Sequence, residues 1–508
     1  MIDISDILNS NAVVITDCES KPTKRDLSKR KIKDSDFSVS WVERTLQFSL
    51  KTHRKFGPNL SVERIGAGQG NLSTLLQIVL DWQGVNGEIA DLPSSVVLKI
   101  PSMKAMEATL KKLFMNKKND RGFGSGVDIQ SAMRAFENSL HKAHAAEVAF
   151  FRFCTENMSR APEIQVPNCF FAQKFDNNDN GGILILEDLR NAAAVKPIYE
   201  GLSISAIKQI LDALAKIHAL SLENTQWTSD LDMNCSITEI NKLSKGQYEK
   251  MRRTMAVSLK TNYPKYFDGL IDKFLDSFSL NSTLVYDLHK EVGIPPVLVH
   301  GDLWMNNMLW RRCDGNNTQD ETTDQLLAII DWQLVHPGCV SEDLVRLFCS
   351  SVSPEIRRNH LHELLEYYHI CLRDALGREP PFSVDHVKET YSRLFRFGVM
   401  CIVPGFAAWA SFCFLRQPQG NFVTRYEADA IIFKLNQFIA CGWKYFSQSG
   451  ACCSLQSLPV FIQADTRHVR HNHCRDQQEQ DERWIHRDRL ADLIRSMLKV
   501  DHKSISER

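Results

Sequence analysis

Two short apolar runs, Pro295–Val299 and Leu326–Ile330, each end at an acid. The first runs into His300-Gly301-Asp302-Leu303-Trp304-Met305-Asn306-Asn307 and the second into Asp331-Trp332. Runs of this length and composition read as buried strands. The chain must therefore fold so that two strand ends, joined by a hairpin-like connection, present Asp302 and Asp331 side by side. An acid two residues after a histidine, an amide five residues after that acid and a second acid downstream form the set that phosphoryl transfer needs. One carboxylate receives the acceptor hydroxyl, while an amide and another carboxylate hold magnesium against the nucleotide phosphates. Asp302 is the expected catalytic group, with Asn307 and Asp331 the expected metal ligands, being hard oxygen donors of the kind magnesium takes. His300 is expected to support the loop by hydrogen bonding. Asp343, in Ser341-Glu342-Asp343-Leu344, is expected at a helix N-terminus, tying the metal loop to the lower lobe.

The 508 residues are 43% hydrophobic, enough for a large core and more than one folded unit. Formal net charge is zero, so no global basic field attracts nucleic acid or an anionic membrane. The 14 cysteines contain no CxxC pair and read as reduced thiols of the cytosol. Met1–Asp36 is polar and lacks the apolar stretch of a signal peptide. Phe397–Leu415 is uncharged and long enough to span a bilayer, but Pro404-Gly405 in its middle is expected to break the helix, and a buried helix in a large lobe is the reading kept. Together these place the chain in the cytoplasm, with no membrane span and no nucleic-acid partner expected.

Residues 1–40 read as a flexible lead, with a helix around Val42–Lys51. Ser61–Asp81 reads as two strands around a glycine turn, Trp82–Gly87 as a turn, and Ser94–Ile100 as a strand. Residues 103–157 carry helical periodicity, and Gly181–Leu189 is an apolar strand ending in acids. Beyond it the chain is mostly helical, over Ala206–Ser221, Lys242–Leu259 and Phe267–His289. The expected organisation is a strand-rich lobe over 41–189 for the nucleotide phosphates and a helix-rich lobe over 190–446 for the catalytic and metal loops and the acceptor pocket. A polar tail follows over 447–508, with a His/Cys cluster (His468, His471, His473, Cys474) and an amphipathic helix near Trp484–Leu498. A disordered insert is the reading kept for the cluster over a zinc site.

Within the first lobe, Gly66, Gly68 and Gly70 lie between strands, where glycine lets backbone N–H groups approach phosphates. Lys99 follows on a strand from which an ammonium reaches the α- and β-phosphates. Glu147 on the next helix is the expected partner that orients it, with Glu107 and Glu137 as competitors. Glu187, Asp188 and Leu189 suit the crossover between lobes, where backbone meets the adenine edge.

These residues resemble a known family. HGDLWMNNMLW (300–310), IIDWQLVHPG (329–338) and EDLVRLF (342–348) are similar to the CHK-kinase-like family, whose members resemble ecdysteroid kinases within the wider choline kinase and aminoglycoside phosphotransferase group. IGAGQGNLSTLLQIVLDW (65–82), VVLKIP (96–101), AAEVAFFRF (145–153), LILEDL (184–189) and LAKIHALSL (214–222) extend the resemblance over about residues 40–446. It implies an α+β, protein-kinase-like two-lobed fold using ATP and Mg2+. Asp302 then matches the catalytic aspartate, Asn307 and Asp331 the metal ligands, Lys99 the phosphate lysine and Glu147 its helix partner. The tail departs from the family.

The expected function is ATP- and magnesium-dependent phosphorylation of a hydroxyl on a small molecule such as a steroid or a xenobiotic conjugate. The aromatic stripe Phe395, Phe397, Phe406, Trp409, Phe412 and Phe414 is read mostly as core. A choline or ethanolamine kinase would need an acidic and aromatic box, and no acidic cluster stands out. A protein kinase would need DFG and APE motifs, which are missing. A nucleotide-binding pseudokinase is the alternative from another class.

Overall fold

A computed structural model describes residues 31–32, 35–65, 73–84, 91–102, 129–157, 164–175, 181–197, 201–267, 269–277, 283–313 and 322–415. All belong to one unit, Met1–Ala451; residues 452–508, with the histidine cluster and the expected terminal helix, lie outside the described residues.

The first part is built on a five-stranded sheet, β1 (Ser61–Ile65), β2 (Ser73–Val79), β3 (Ser95–Pro101), β4 (Cys169–Gln173) and β5 (Ile183–Glu187), in the order β1-β2-β3-β5-β4. Every neighbouring pair is antiparallel. Side chains alternate faces along a strand. Leu76 and Ile78, Val96 and Leu98, and Ile183 and Ile185 thus share one face and form a core with Val42 and Leu46 of helix α1 (Val39–Ser49). Ser38 caps α1 by accepting from the Trp41 amide. By the same alternation Lys99, one residue beyond Leu98, belongs to the opposite face. There it pairs in register with Leu184 of β5, which is buried in the larger core of the molecule. The long helix α2 (Ile129–Asn157) covers this side, burying Ala146, Phe150 and Phe153. Each fully buried side chain of the size of Phe150 stabilises the fold by roughly 2 kcal/mol.

The second part is larger and mostly helical. It comprises the two-residue β6 (Ala193–Ala194), then α3 (Ile204–Glu223), α4 (Ile237–Leu243), α5 (Gln247–Asn262), α6 (Pro264–Phe267), α7 (Leu270–Ser277) and α8 (Thr283–Glu291). After these come β7 (Val297–Val299), β8 (Met308–Arg312), β9 (Thr322–Ile329), β10 (His336–Gly338), α9 (Ser341–Ser350), α10 (Pro354–Leu376) and α11 (Val384–Leu415). Helix α3, capped by Ser203, is buried on most of its faces and packs against α10. A small β-rich region beside a larger helical one is the two-lobed α+β arrangement of the protein-kinase-like fold.

Three expectations are corrected. The helix over Lys242–Leu259 is two helices. Lys245 (φ 51°) and Gly246 (φ 78°) adopt left-handed backbone and end α4 before α5 begins. The strand before Asp302 does not form a hairpin with the strand before Asp331. β7 pairs with β10 and β9 pairs with β8, in a three-stranded sheet β6-β8-β9. Third, Pro404-Gly405 does not break α11, which runs from Val384 to Leu415. Proline 404 leaves the Met400 carbonyl without its i+4 donor. The Arg252 guanidinium of α5 supplies one, with Nη2 3.4 Å from Met400 O and also donating to Cys401 O. No helix among the described residues is long and apolar enough to cross a membrane.

Candidate active site

Lys99, Glu147 and Asp331 meet from three separate stretches of chain. The Lys99 ammonium lies 2.8 Å from Glu147 Oε1, 2.7 Å from Glu147 Oε2 and 2.5 Å from Asp331 Oδ1. The sequence explains the meeting. Glu147 and Phe150 are three apart and share a face of α2. Phe150 stacks on Trp332 with ring centroids 3.9 Å apart and planes at 6°. The Trp332 amide donates to Glu147, so the residue after Asp331 is fixed to the helix that carries Glu147. Burial pushes the Lys99 ammonium down, but the Asp331 and Glu147 carboxylates outweigh it and hold the group above its ordinary range, fully charged. Burial raises Glu147, against the pull of Lys99. Of its competitors, Glu137 is exposed and Glu107 lies outside the described residues.

Asp331 carries a positive φ of 69°, unusual for a residue with a side chain. Its second oxygen, Oδ2, has a 3.3 Å contact with Gln333 Nε2. Asp302 lies in the loop after β7. Asn307 Nδ2 donates to the Asp302 carbonyl at 2.9 Å and approaches Asp302 Oδ2 at 3.4 Å. The Ile330 amide donates to the Asn307 carbonyl at 2.9 Å. The loop of Asn307 and the loop of Asp331 are thus joined through backbone.

His300 is fully buried and holds the same junction. Its Nδ1 lies 3.1 Å from the Asp302 amide and its Nε2 3.0 Å from the Ile330 carbonyl. The amide can only donate and the carbonyl can only accept, so these partners select the tautomer with the proton on Nε2. Gly301 has φ +81°, and a Cβ there would stand 2.6 Å from the Leu334 carbonyl oxygen, so the turn needs glycine. Asp343 stands at the helix N-terminus expected of it, but it holds a different loop. Within the first turn of α9 it accepts from the His300 amide at 2.7 Å and the Gly301 amide at 3.0 Å. It therefore anchors the loop of Asp302, not that of Asp331.

Gly66, Gly68 and Gly70 lie outside the described residues, between β1 and β2. Glu187 closes β5 and accepts from Asn168 N and Nδ2 at 3.1 and 2.9 Å. The Asp188 side chain is 1% exposed and takes Gln77 Nε2 at 2.6 Å, Ser95 Oγ at 2.8 Å and Arg190 Nε at 3.1 Å. Burial raises this carboxyl, but Ser95 and Arg190 hold it below its ordinary value. Both acids are committed to the protein, so backbone is what the segment has to offer a ligand. The Leu189 carbonyl itself accepts from Ala192 and Ala193 at 3.0 and 2.8 Å.

Sequence reasoning missed Arg346, whose Nη2 lies 2.5 Å from Asp302 Oδ1. The available signal was the spacing of Asp343 and Arg346, three apart on one helix face. It missed Gln333 as well.

The donor chemistry fits a divalent cation of the magnesium kind. Asn307 Nδ2 is spent on Asp302, which leaves its amide oxygen, and Asp331 keeps Oδ2, with one long contact. Both are hard oxygens. Among the described residues no cluster of three or more His, Cys, Asp or Glu forms a protein-only metal cage. A site with few protein ligands is the kind magnesium uses beside phosphates.

The DUF1679 family model, described as "Uncharacterized oxidoreductase dhs-27", matches residues 36–425. The Caenorhabditis elegans protein "Uncharacterized oxidoreductase dhs-27" is 25% identical over 348 residues, 66% of this chain and 38% of that protein. The Caenorhabditis elegans "Uncharacterized kinase-like protein D1044.1" is 26% identical over 260 residues, 51% of this chain and 64% of that protein. The match thus spans less than two thirds of either relative's length. Among solved structures, the GDP and kanamycin complex of APH(2")-IIIa covers 80% of this chain and 97% of its own at 12% identity, with a TM-score of 0.34. A ternary complex of APH(4)-Ia with AMP-PNP and hygromycin B covers 82% and 100% at 11% identity, with a TM-score of 0.33.

Proposed function

The chain belongs to the DUF1679 family, and from that premise we propose that it is an ATP- and magnesium-dependent phosphotransferase acting on a hydroxyl of a small molecule. One observation carries the reading: Lys99 held at 2.5–2.8 Å between Glu147 and Asp331, with the loop of Asp302 and Asn307 hydrogen-bonded to the loop of Asp331. A buried ammonium oriented by a helix glutamate is placed to meet nucleotide phosphates. Magnesium, when bound by Asn307 and Asp331, would offset phosphate charge.

Asp302 receives the acceptor's proton as its oxygen attacks the γ-phosphorus and the bond to ADP breaks. Arg346 occupies Oδ1, so Oδ2 is the oxygen that takes this role. Little covalent chemistry is asked of the protein, since phosphoryl transfer rests on positioning and electrostatics. The acceptor class we favour is a steroid, a xenobiotic conjugate or a similar amphiphile, in the manner of the CHK-kinase-like family. The kinase-like name of one relative agrees with transfer chemistry.

The name oxidoreductase favours a second reading. A dinucleotide site of the usual kind needs parallel strands and a glycine turn leading from strand to helix. Here the glycine segment lies between two antiparallel strands and the five-stranded sheet has no parallel pair. That name belongs to a protein of which the match covers 38%, and its chemistry need not reside in the shared part.

The test is ATP turnover by the purified chain against steroid alcohols, glucosides, choline and ethanolamine, beside Asp302→Ala. Acceptor-dependent ADP release is expected, falling by about a thousandfold or more in the variant. Nucleotide binding without turnover on any acceptor would favour a non-catalytic nucleotide-binding role. Turnover confined to choline or ethanolamine would move the acceptor class.

A further inference from the structure

We propose that Arg346 is a positioning residue for Asp302, holding one carboxylate oxygen so that the other is aimed at the acceptor; this rests on the reading of Asp302 above. Helix α9 sets three consecutive residues of the catalytic loop. Asp343 in its first turn takes the backbone amides of His300 and Gly301 at 2.7 and 3.0 Å. Arg346, one turn later on the same face, takes the side chain of Asp302 at 2.5 Å. The loop's backbone and its carboxylate are therefore indexed to one rigid element. That element is itself fixed. Ser341 Oγ donates to Val387 O at 2.9 Å and lies 2.7 Å from Thr390 Oγ1, while Glu342 Oε1 lies 3.1 Å from His336 Nε2.

The Arg346 side chain is 15% exposed and that of Asp302 23%. Among the described residues Asp302 Oδ2 has just the 3.4 Å approach of Asn307 Nδ2, too long to fix a rotamer. Without Arg346 the carboxylate turns freely about its terminal torsion, which is broad and roughly two-fold. The guanidinium keeps Nη1 and Nε buried with no hydrogen-bond partner among the described residues. Among the described residues its one ion pair is with Asp302, so no wider ion-pair network there accounts for its presence.

The experiment uses the full chain with Mg-ATP, reading phosphate transfer to whichever acceptor of the panel is used, and phosphate release to water. Arg346→Ala is expected to lower kcat about 100-fold, the scale of a lost near-attack geometry, with KM for ATP within about twofold. Added guanidinium should restore part of that activity, and should restore none in Asp302→Asn. Arg346→Ala placed on Asp302→Asn should cost nothing further, because the two act as one unit. Should Arg346→Ala fail to fold, Arg346→Lys is read instead: it keeps the charge and an N–H donor for Asp302 but loses the planar fork, and an intermediate loss of about tenfold at unchanged Tm is expected. Wild-type kcat in either folded variant overturns the proposal, as does a loss that appears in KM for ATP alone. An inactive wild type defeats the phosphotransferase reading, and this inference with it. An active wild type with indifferent Arg346 variants defeats this inference alone.

Discussion

Asp331 combines two demands that rarely coincide, a left-handed backbone and a charge. Its φ of +69° is most easily borne by asparagine, aspartate or glycine. Asp331→Asn should therefore keep the fold, with unfolding free energy within about 1 kcal/mol of wild type. The same change removes one of the two carboxylates on Lys99 and replaces a charged magnesium ligand by a neutral amide oxygen. Stabilisation by Mg-ATP over ATP alone, read as a Tm shift, is expected to disappear; a variant that keeps the full magnesium increment would remove Asp331 from the metal role. Much at this level was legible in the chain. His300, Asp302, Asn307 and Asp331 lie at characteristic spacings, and the alternation of Val96, Leu98 and Lys99 points Lys99 away from the sheet core. Glu147 could not be separated from Glu107 and Glu137 by spacing, because what selects it is Phe150 against Trp332, a contact between distant segments. Arg346 escaped for the same reason: one helix turn aligns it with Asp343, but nothing local says what that face meets.

Strands and helices were placed within a few residues where periodicity was strong, as in α1, α3, β3 and β5. Errors arose where a local rule met a tertiary partner. The pairing of β7 with β10 instead of β9 depends on the return of the chain through His336–Gly338, which no local pattern announces. Pro404 is the clearest case, since a proline inside a helix costs a hydrogen bond and about 3 kcal/mol relative to alanine. Helix α11 continues because Arg252 approaches the Met400 carbonyl that Pro404 leaves unpaired. Arg252 is 8% exposed, its guanidinium carbon lies 5.3 Å from the Tyr248 ring centroid, and Nη1 donates to the Tyr248 hydroxyl at 3.0 Å. Arg252→Met should cost about 2–3 kcal/mol, as for a charged donor lost from buried acceptors. Pro404→Ala supplies an amide to Met400 O and should recover part of that loss. The gain from Pro404→Ala should be larger by about 1 kcal/mol in the Arg252→Met background than in wild type. A double-mutant cycle by urea unfolding reads the difference, and simple additivity would show that Arg252 does not compensate for the proline.

The division into a strand-rich and a helix-rich part followed from the order of elements, but the buried polar contacts that join distant helices did not. His218 on α3 and Tyr368 on α10 are 150 residues apart and lie 2.6 Å from each other, Nδ1 to hydroxyl. The other nitrogen, Nε2, is buried without a hydrogen-bond partner among the described residues, 4.0 Å from Asp343 Oδ2. Burial pushes His218 down to about 3, against about 6.5 in an unfolded chain. The folded state thus keeps it neutral where the unfolded state protonates it. The stability it contributes is fully present above pH 6.5 and is lost as pH falls toward 3. At pH 5 the loss amounts to about 2 kcal/mol, from 1.5 pH units at 1.36 kcal/mol each. Other groups obscure this in the wild-type curve alone. His144, lowered by burial to about 4, acts in the same direction. Glu147 and Asp343, raised by burial, take up protons in the fold and act in the opposite one. Comparison with His218→Asn isolates the single group. The variant should be less stable at pH 7.5, having lost packing, and its deficit should shrink by about 2 kcal/mol between pH 7.5 and pH 5. A deficit that stays constant across that range in urea unfolding would mean that His218 takes up its proton as readily in the fold as in the unfolded chain, and one that grows as pH falls would mean a buried ion pair with Asp343.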